Sequence, residues 1–599
     1  MLIGLKFDNL IVCYIQALPV IALTVLTMCM MHRPDVRRIV GSCKKAIAWA
    51  EGVLYGLVII IEVANARYFH FFDNHLNYQV TEWFGFAGDT AGMVMQDKTN
   101  LWFLLIAVLL IVLFSFVLTT ITRRSLSYHY THDTNLALSS YLTGAAVCIV
   151  VYGLVFIGMR GSFQRYPLKV SFAYYCNKPF YNKLGVNPVF NIIKTAKNGG
   201  NKLPDFLAAV SEEEAETYVH AQLSDNVLSA GLSTDSLFAD TPCHDRPLNV
   251  VLILMESMTR VNLERQYNGQ YLTPYLRALR DSSWYWSNAY SAGIHTNNGI
   301  VASQYGYVPN FARTMMEVNP NHYTGLPYYL QQAGYHNLVF VTGNPQYDNM
   351  NSFWRDNYIH TIYSLYDYDS KAVVNNFGVP DDYMFRWGID KLNTVDEPFF
   401  ATFLTVSNHS PYVVPEAYRS RGENDEERII AYADDAVRQF MTAAKQTEWG
   451  QHTLFVLSAD HGAQLASPYE MTLPYNEIPV YFVAPGLKWQ QYDEPASQID
   501  IFPTALAMLG IPYENTTLGT DLLHGSRRYA FFASNEHLGV SDGEWFWCYG
   551  LNSRQEHLYR IGSPEDVKAA YPERTEEMRR YGVCMQRANL ERMNQKKTL

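Results

Sequence analysis

Three runs in the first 160 residues are apolar without interruption: Leu10–Met31, Leu101–Ile121 and Leu136–Met159 contain no charged side chain. A bilayer core of about 30 Å takes ~20 such residues as a helix. A fourth run, Ala46–Ala66, is apolar apart from Glu51 and Glu62, which a membrane interface can accommodate. Four such runs leave too little polar sequence to cover them as core helices of a water-soluble protein. The pattern therefore predicts a transmembrane bundle of about four helices over residues 1–160.

After Met159 the pattern changes. Polar stretches (NGGNKLPD, SEEEAE, SAGLSTDS) replace the apolar runs, so residues 161–246 read as a linker with interfacial helices. From Pro247 onward short β-branched runs alternate with amphipathic stretches: NVVLILMES, HNLVFVTG, PFFATFLTVSNH, HTLFVLSADHG and IPVYFVAPG. Near-continuous apolar strands signal a sheet buried on both faces, and helical spacing between them signals parallel crossovers. Residues 247–530 are predicted as this α/β domain. Residues 531–599 are predicted as its C-terminal extension, adding edge strands and a closing helix.

Basic residues orient the bundle. Arg33, Arg37, Arg38, Lys44 and Lys45 crowd one loop and Arg123 and Arg124 another, while the loop between them holds only Arg67 and Lys98. By the positive-inside rule the two basic loops are cytoplasmic, and everything after Met159 lies outside. The arithmetic also leaves an outside N-terminus with no targeting run before it, so one further helix ahead of Met1 is expected. The loop Asn65–Asn100, rich in aromatics, suits a headgroup-level anchor or a plain interhelical loop.

Composition agrees. Of 599 residues 48% are hydrophobic and only 17% charged, which excludes disorder and a coiled coil. The net charge of −11 offers no basic face, so no nucleic-acid partner is expected. Four cysteines fall on the expected outer side, Cys176, Cys243, Cys548 and Cys584, with room for one or two disulfides or none.

Ligands in a parallel sheet gather at the carboxyl ends of the strands. Three of the runs end in such residues: Glu256, Asn408 with His409, and Asp460 with His461. Each alone reads as a cap or turn former; together they read as a metal or phosphate site. Thr296, in the small-residue turn SAGIHTNNG, reads as an N-cap or as a hydroxyl nucleophile at a helix N-terminus, where backbone N–H groups favour negative charge.

The segments LMES, GIHTNNG, SNHSPY, SADHG, IDIFPTALAMLGIP and LGTDLL occur in that order. The chain resembles the sulfatase-like lipoteichoic acid synthase family of the alkaline phosphatase superfamily. The resemblance implies a transmembrane helix bundle followed by an external sulfatase-like α/β domain, multi-pass in the inner (plasma) membrane with the catalytic domain on the extracytoplasmic side. It implies one divalent cation (manganese, or zinc or magnesium) held by Glu256, Thr296, Asp460 and His461, with Thr296 as nucleophile and His409 touching the substrate phosphate. Trp354 and Arg355 in NSFWRD correspond to a Trp and Arg that hold phosphate and glycerol, although here they are adjacent rather than one residue apart. Asp348 corresponds to an acid near the glycerol.

The function implied is a phosphoglycerol transferase. It moves glycerophosphate from a phosphatidylglycerol-like phospholipid donor, through phospho-threonine, to a glycan or glycolipid acceptor. Phosphoethanolamine transfer is the nearest alternative, and the sparse external cysteines argue against it. A phosphodiesterase that hands the group to water is a third reading. A true sulfatase is disfavoured because IHTNNG lacks the Cys/Ser-x-Pro/Ala-x-Arg maturation motif. A membrane-anchored pseudoenzyme is a fourth, disfavoured because all four ligand positions are filled.

Overall fold

The computed structural model describes residues 2–32, 37–72, 75–78, 97–127, 138–163, 183–198, 203–225, 246–311, 323–345, 347–359 and 361–594, with positions 80, 92, 167, 168, 173, 181 and 316 between them. Residues 81–91 and 93–96 of the aromatic loop before Asn100, and Cys176 and Cys243, lie outside the described residues. The chain divides into two compact units, Met1–Gly200 and Asn201–Leu599.

In the first unit helices α1 (Leu2–His32), α2 (Arg37–Phe72), α3 (Lys98–Ser127) and α4 (Leu138–Arg160) are each long and apolar enough to cross a membrane. Many of their apolar side chains face outward, as do Leu109, Leu113 and Phe116 of α3, while Phe7 and Leu10 of α1 are buried. Hydroxyls within them are satisfied by their own helix: Thr24 donates to the Val20 carbonyl and Thr120 to that of Phe116, both at 2.8 Å. Glu62 meets a polar partner: Asn187, just before helix α5 (Pro188–Asn198), donates from Nδ2 to Glu62 at 2.5 Å and to Asp8 at 3.0 Å.

The second unit holds a single helical turn, Asp205–Ala208, then helix α6 (Glu212–Asp225), and then enters an eight-stranded sheet. Its strands are β1 (Asn249–Met255), β4 (Trp284–Tyr290), β5 (His336–Val341), β6 (Thr361–Tyr363), β7 (Phe399–Leu404), β8 (Thr453–Ala459), β9 (Val480–Val483) and β10 (Gln490–Ser497). The short hairpin β2 (Gln266–Tyr267) and β3 (Gln270–Tyr271) stands apart. The order is β10-β4-β9-β8-β1-β7-β5-β6, and β8, β1, β7, β5 and β6 run parallel as the apolar runs imply. All seven residues of β1 and of β8 are buried. IPVYFV, expected among the parallel strands, instead forms β9 antiparallel to β8. Between β8 and β9 lies only one short turn of 3₁₀ helix, Leu473–Tyr475, with no crossover helix to carry the chain back across the sheet.

The sheet is flanked by helices α7 (Thr296–Tyr305), α8 (Met350–Asp356), α9 (Asp381–Leu392), α10 (Asp425–Ala444) and α11 (Ile501–Met508). Residues 530–560 do not extend this sheet as edge strands. They form a four-stranded antiparallel sheet of their own, β11 (Ala530–Ala533), β12 (His537–Ser541), β13 (Trp545–Gly550) and β14 (Glu556–Arg560). The closing helix α12 (Pro572–Asn594) packs Met578, Tyr581 and Ala588 against Leu538, Val540 and Trp547 of that sheet, and Ala215 and Val219 of α6 join the same core. Cys548 and Cys584 are both buried.

Two charged contacts inside the second unit carry stability. Asp500 and Arg527 form an ion pair with both side chains 1% exposed, and Asp500 also accepts from the backbone N–H groups of Ser497 and Thr520 at 2.7 Å. Arg527→Met strands the carboxylate and is expected to cost about 3–5 kcal/mol, read as a fall in denaturant midpoint. Asp434 of α10 caps Tyr275 and Leu276, accepting from their N–H groups at 3.0 and 2.8 Å, and burial pushes its carboxyl up to about 7. A carboxyl raised by folding binds its proton more tightly folded than unfolded, so the folded form loses ground as pH rises from about 4 to about 7. Asp434→Asn does not titrate. Its unfolding free energy should gain a few kcal/mol on wild type across that interval. Parallel denaturant titrations at pH 5 and pH 8 check this, and an unchanged gap would exclude the buried-proton account.

Candidate metal centre

Strand register builds the centre. Met255 of β1 pairs with Ala459 of β8, so the next residues, Glu256 and Asp460, emerge side by side at the carboxyl edge. On the other flank Leu254 pairs with Leu404, which places Thr405 to donate its N–H to the Leu254 carbonyl at 3.1 Å and to accept the Glu256 N–H on Oγ1 at 2.9 Å. Among the described residues, Glu256, Asp460 and His461 bring ligand atoms within 4.8 Å of one another, all three buried.

The hydrogen bonds around this trio leave one face open. Asp460 Oδ1 accepts from the N–H groups of Ser257 at 3.0 Å and His461 at 2.8 Å. Its Oδ2 is buried without a hydrogen-bond partner, 3.5 Å from His461 Nε2. His461 Nδ1 lies 2.7 Å from the Gly462 carbonyl, which can only accept, so the proton sits on Nδ1 and Nε2 keeps its lone pair. Nε2 is 4.0 Å from Glu256 Oε1, which accepts from Ser257 Oγ at 2.7 Å. Burial, then the Asp460 charge, pushes the Glu256 carboxyl well above its usual range. A pair of buried carboxylates, an orphaned oxygen and a bare imidazole nitrogen form a donor set that fits a divalent cation of the manganese, magnesium or zinc type.

Ser257 sits at φ 51, a left-handed conformation costly for a residue with a Cβ, and from it supplies both its N–H and its hydroxyl to the trio. Asn408 donates from Nδ2 to the Glu256 carbonyl oxygen at 3.1 Å. Asp381, at the start of α9, accepts from the N–H groups of Val406 and Ser407 at 2.9 and 3.1 Å and so fixes the loop that carries His409. Burial raises the Asp381 carboxyl to about 6.

Thr296 is the first residue of α7, at the positive end of a ten-residue helix. Gly299, one turn on, lies so close to Asp460 that a Cβ there would stand 2.7 Å from the Asp460 Cα. Gln498 ties the same parts together: its Nε2 donates to the carbonyls of Ala459 and Asp460 at 2.8 and 3.1 Å, and its Oε1 accepts the Ala292 N–H at 3.2 Å. The turn ahead of Thr296 is thereby seated against the Asp460 loop.

His409 points Nδ1 at the Ser410 carbonyl at 2.7 Å, and its ring lies 4.2 Å from that of Phe377. Crowding by protein lowers its pKa, and the nearby His461 lowers it further. Asp348 accepts from Asn297 Nδ2, beside Thr296, and stands with Asn349 in the left-handed region. Burial raises its carboxyl. Trp354 and Arg355 follow on α8, where adjacent residues project about 100° apart. Trp354 is fully buried, its indole N–H unpartnered among the described residues, whereas Arg355 is exposed and donates Nε to Asn351 at 3.1 Å. His295 was given no role from sequence; it lies 3.0 Å through Nε2 from Asn535 Oδ1, and burial lowers its pKa to about 4.

Residues 248–511 match the sulfatase family. The chain is similar to the lipoteichoic acid synthase-like protein YvgJ of Bacillus subtilis, at 22% identity over 48% of this chain and 53% of that one. Lipoteichoic acid synthase 1 of the same organism is 26% identical over 46% and 48%. The chain thus spans about half the length of the curated relatives it matches. Among solved structures, a protein of the alkaline phosphatase superfamily from Vibrio parahaemolyticus superposes with a TM-score of 0.54 at 22% identity, over 64% of this chain and 97% of that one. The lipoteichoic acid synthase LtaP of Listeria monocytogenes gives 0.52 at 17%, over 63% and 98%. Together these give a sulfatase-like fold and a likeness to proteins named lipoteichoic acid synthase.

Proposed function

We propose that the protein is a membrane-bound phosphoglycerol transferase of the lipoteichoic acid synthase type. The observation that carries the reading is the orphaned Asp460 Oδ2 among Glu256 and His461, with the N-terminus of the Thr296 helix seated on the Asp460 backbone. The relatives named lipoteichoic acid synthase and the four membrane-length helices support it.

Glu256, Asp460, His461 and the Thr296 hydroxyl are the residues that would hold one divalent cation, manganese by preference. Bound there, such an ion supplies charge neutralisation and a lowered hydroxyl pKa. The rest of the chemistry belongs to the chain. Thr296 Oγ1 loses its proton and forms a bond to the phosphorus of the donor phosphodiester, and the bond from phosphorus to the diacylglycerol oxygen breaks. The N–H groups of the first turn of α7 face the developing charge. His409, its Nδ1–H donated to the Ser410 carbonyl, takes the Thr296 proton on Nε2, turns that N–H to the phosphate, and delivers it to the diacylglycerol oxygen as the bond to phosphorus breaks. An acceptor hydroxyl on a glycan or glycolipid then attacks the phospho-threonine and frees Thr296. Asp348 and Arg355 are assigned to the headgroup, and Trp354 backs the helix that carries Arg355. The Lys and Arg that crowd the junction of α1 with α2 and the end of α3 support a second unit on the extracytoplasmic face of the plasma membrane, where donor lipid and acceptor meet.

The test is lipid turnover by the detergent-purified chain with Mn²⁺, following diacylglycerol, with Thr296→Ala as the blank. Release from phosphatidylglycerol alone, absent in the blank, is expected. Release from phosphatidylethanolamine instead would replace this reading with phosphoethanolamine transfer, against which the sparse external cysteines already weigh. Release from neither, with the cation bound, would leave another donor or a hydrolase.

A further inference from the structure

Six large apolar side chains stand exposed among the described residues of the second unit: Tyr347, Tyr366, Val374, Val413, Trp489 and Tyr571. Four of the six lie on loops that follow the carboxyl ends of β5, β6 and β7, the edge that carries the centre. Tyr366 is 71% exposed. The loops are tied to one another and to the centre. Leu365 N–H donates to the Gly343 carbonyl at 3.1 Å, and Thr342 Oγ1 donates to that of Phe377 at 2.9 Å. Phe377 packs on His409, and Tyr347 adjoins Asp348, which meets Asn297 beside Thr296. Single exposed apolar residues need no explanation; their concentration on loops at one edge of the sheet does.

We propose that this rim docks on a phospholipid bilayer, with Tyr366 and Val374 seated among headgroups and upper acyl chains. Three observations favour lipid as the occupant. The same chain carries four helices long and apolar enough to cross a membrane, which keeps the domain beside one. Tyrosine, apolar in body and polar at its tip, suits headgroup depth. Lys371 stands exposed between Tyr366 and Val374 and adds a cation for anionic headgroups. Asp367 and Asp369, both exposed, flank it and accept from Ser364 N–H and Lys371 N–H of the same loop, each at 2.9 Å. The inference rests on reading the site as one that takes a lipid phosphodiester. It adds how that group arrives: a mouth seated at the interface receives the phosphate while the acyl chains stay in the bilayer, avoiding the hydrophobic cost of drawing them out.

The experiment uses the full chain reconstituted in vesicles of phosphatidylglycerol and phosphatidylethanolamine. Photoreactive p-benzoylphenylalanine replaces Tyr366, Val374 or, for comparison, Tyr571. Illumination is expected to yield lipid adducts at 366 and 374 at least about tenfold above those at 571. Adducts at 366 and 374 no greater than at 571 would overturn the proposal. Adducts there without diacylglycerol release from any lipid would uphold docking and overturn the donor reading; release without adducts would do the reverse.

Discussion

Asp460→Asn is expected to abolish transfer and to invert the response of the protein to divalent cations. The asparagine Oδ1 can keep both backbone N–H groups that Asp460 Oδ1 now accepts, so the local fold survives. Its amide nitrogen then occupies the place of the orphaned Oδ2 and faces His461 Nε2, a lone pair that an N–H can satisfy. Without cation this removes the Asp460 charge that, after burial, raises the Glu256 carboxyl, so in chelator the variant should melt at or above wild type. With Mn²⁺ at about a hundredfold over its Kd, wild type gains ~2.7 kcal/mol and melts several degrees higher, and the variant gains nothing. Turnover should fall by about 10³-fold or more, the scale of several kcal/mol of lost charge stabilisation. Melting curves with and without Mn²⁺ decide it: a variant that still gains stability from the cation, or a wild type that gains none, would remove the metal from the account.

Gly299→Ala should cut turnover by about a hundredfold while leaving the three strand-end ligands where they are. The added Cβ would stand 2.7 Å from the Asp460 Cα and closer still to its carbonyl oxygen, both backbone atoms with little room to give. Alanine improves helix propensity by about 1 kcal/mol and overpacking costs about 1–3, so the net loss of stability is small. What moves is α7 as a body, carrying Thr296 away from the centre. A displacement on the order of 1 Å at a reacting atom is worth ~10² in rate. The expected signature is a split: a melting temperature within a few degrees of wild type, Mn²⁺ affinity retained, and phosphoenzyme formation lost. Near-normal turnover in this variant would show that the helix does not set the nucleophile.

The parallel strands were readable because burial on both faces leaves unbroken apolar runs, and the ligands because each run ends in its functional residue. Glu256, Asp460 and His461 needed only the register between β1 and β8 to meet, and hydrophobic patterning comes close to giving that. The parts that escaped have no local signature. The direction of β9 depends on a missing crossover, and the separate sheet β11–β14 on pairings among strands that look like any edge. Ser257 is legible as a serine but not as a left-handed clamp, since its φ is imposed by the two strand ends it joins. Gln498 and Asp381 act on loops more than 20 residues away in sequence. Trp354 and Arg355 were found through a family motif whose spacing differs here by one residue, and on a helix that residue separates core from solvent.

The distance along the chain between the ligand-bearing strands has a kinetic consequence. Ser257 and Asp460 are 203 residues apart, and the hydrogen bond between them closes only when β8 has been laid beside β1. Contacts of such high sequence separation form late, after most of the loop entropy has been lost. The centre is therefore absent from every partly folded chain, and a cation cannot nucleate it. An ion that binds only once both strands are in place leaves the rate of folding untouched and lengthens the lifetime of what has folded.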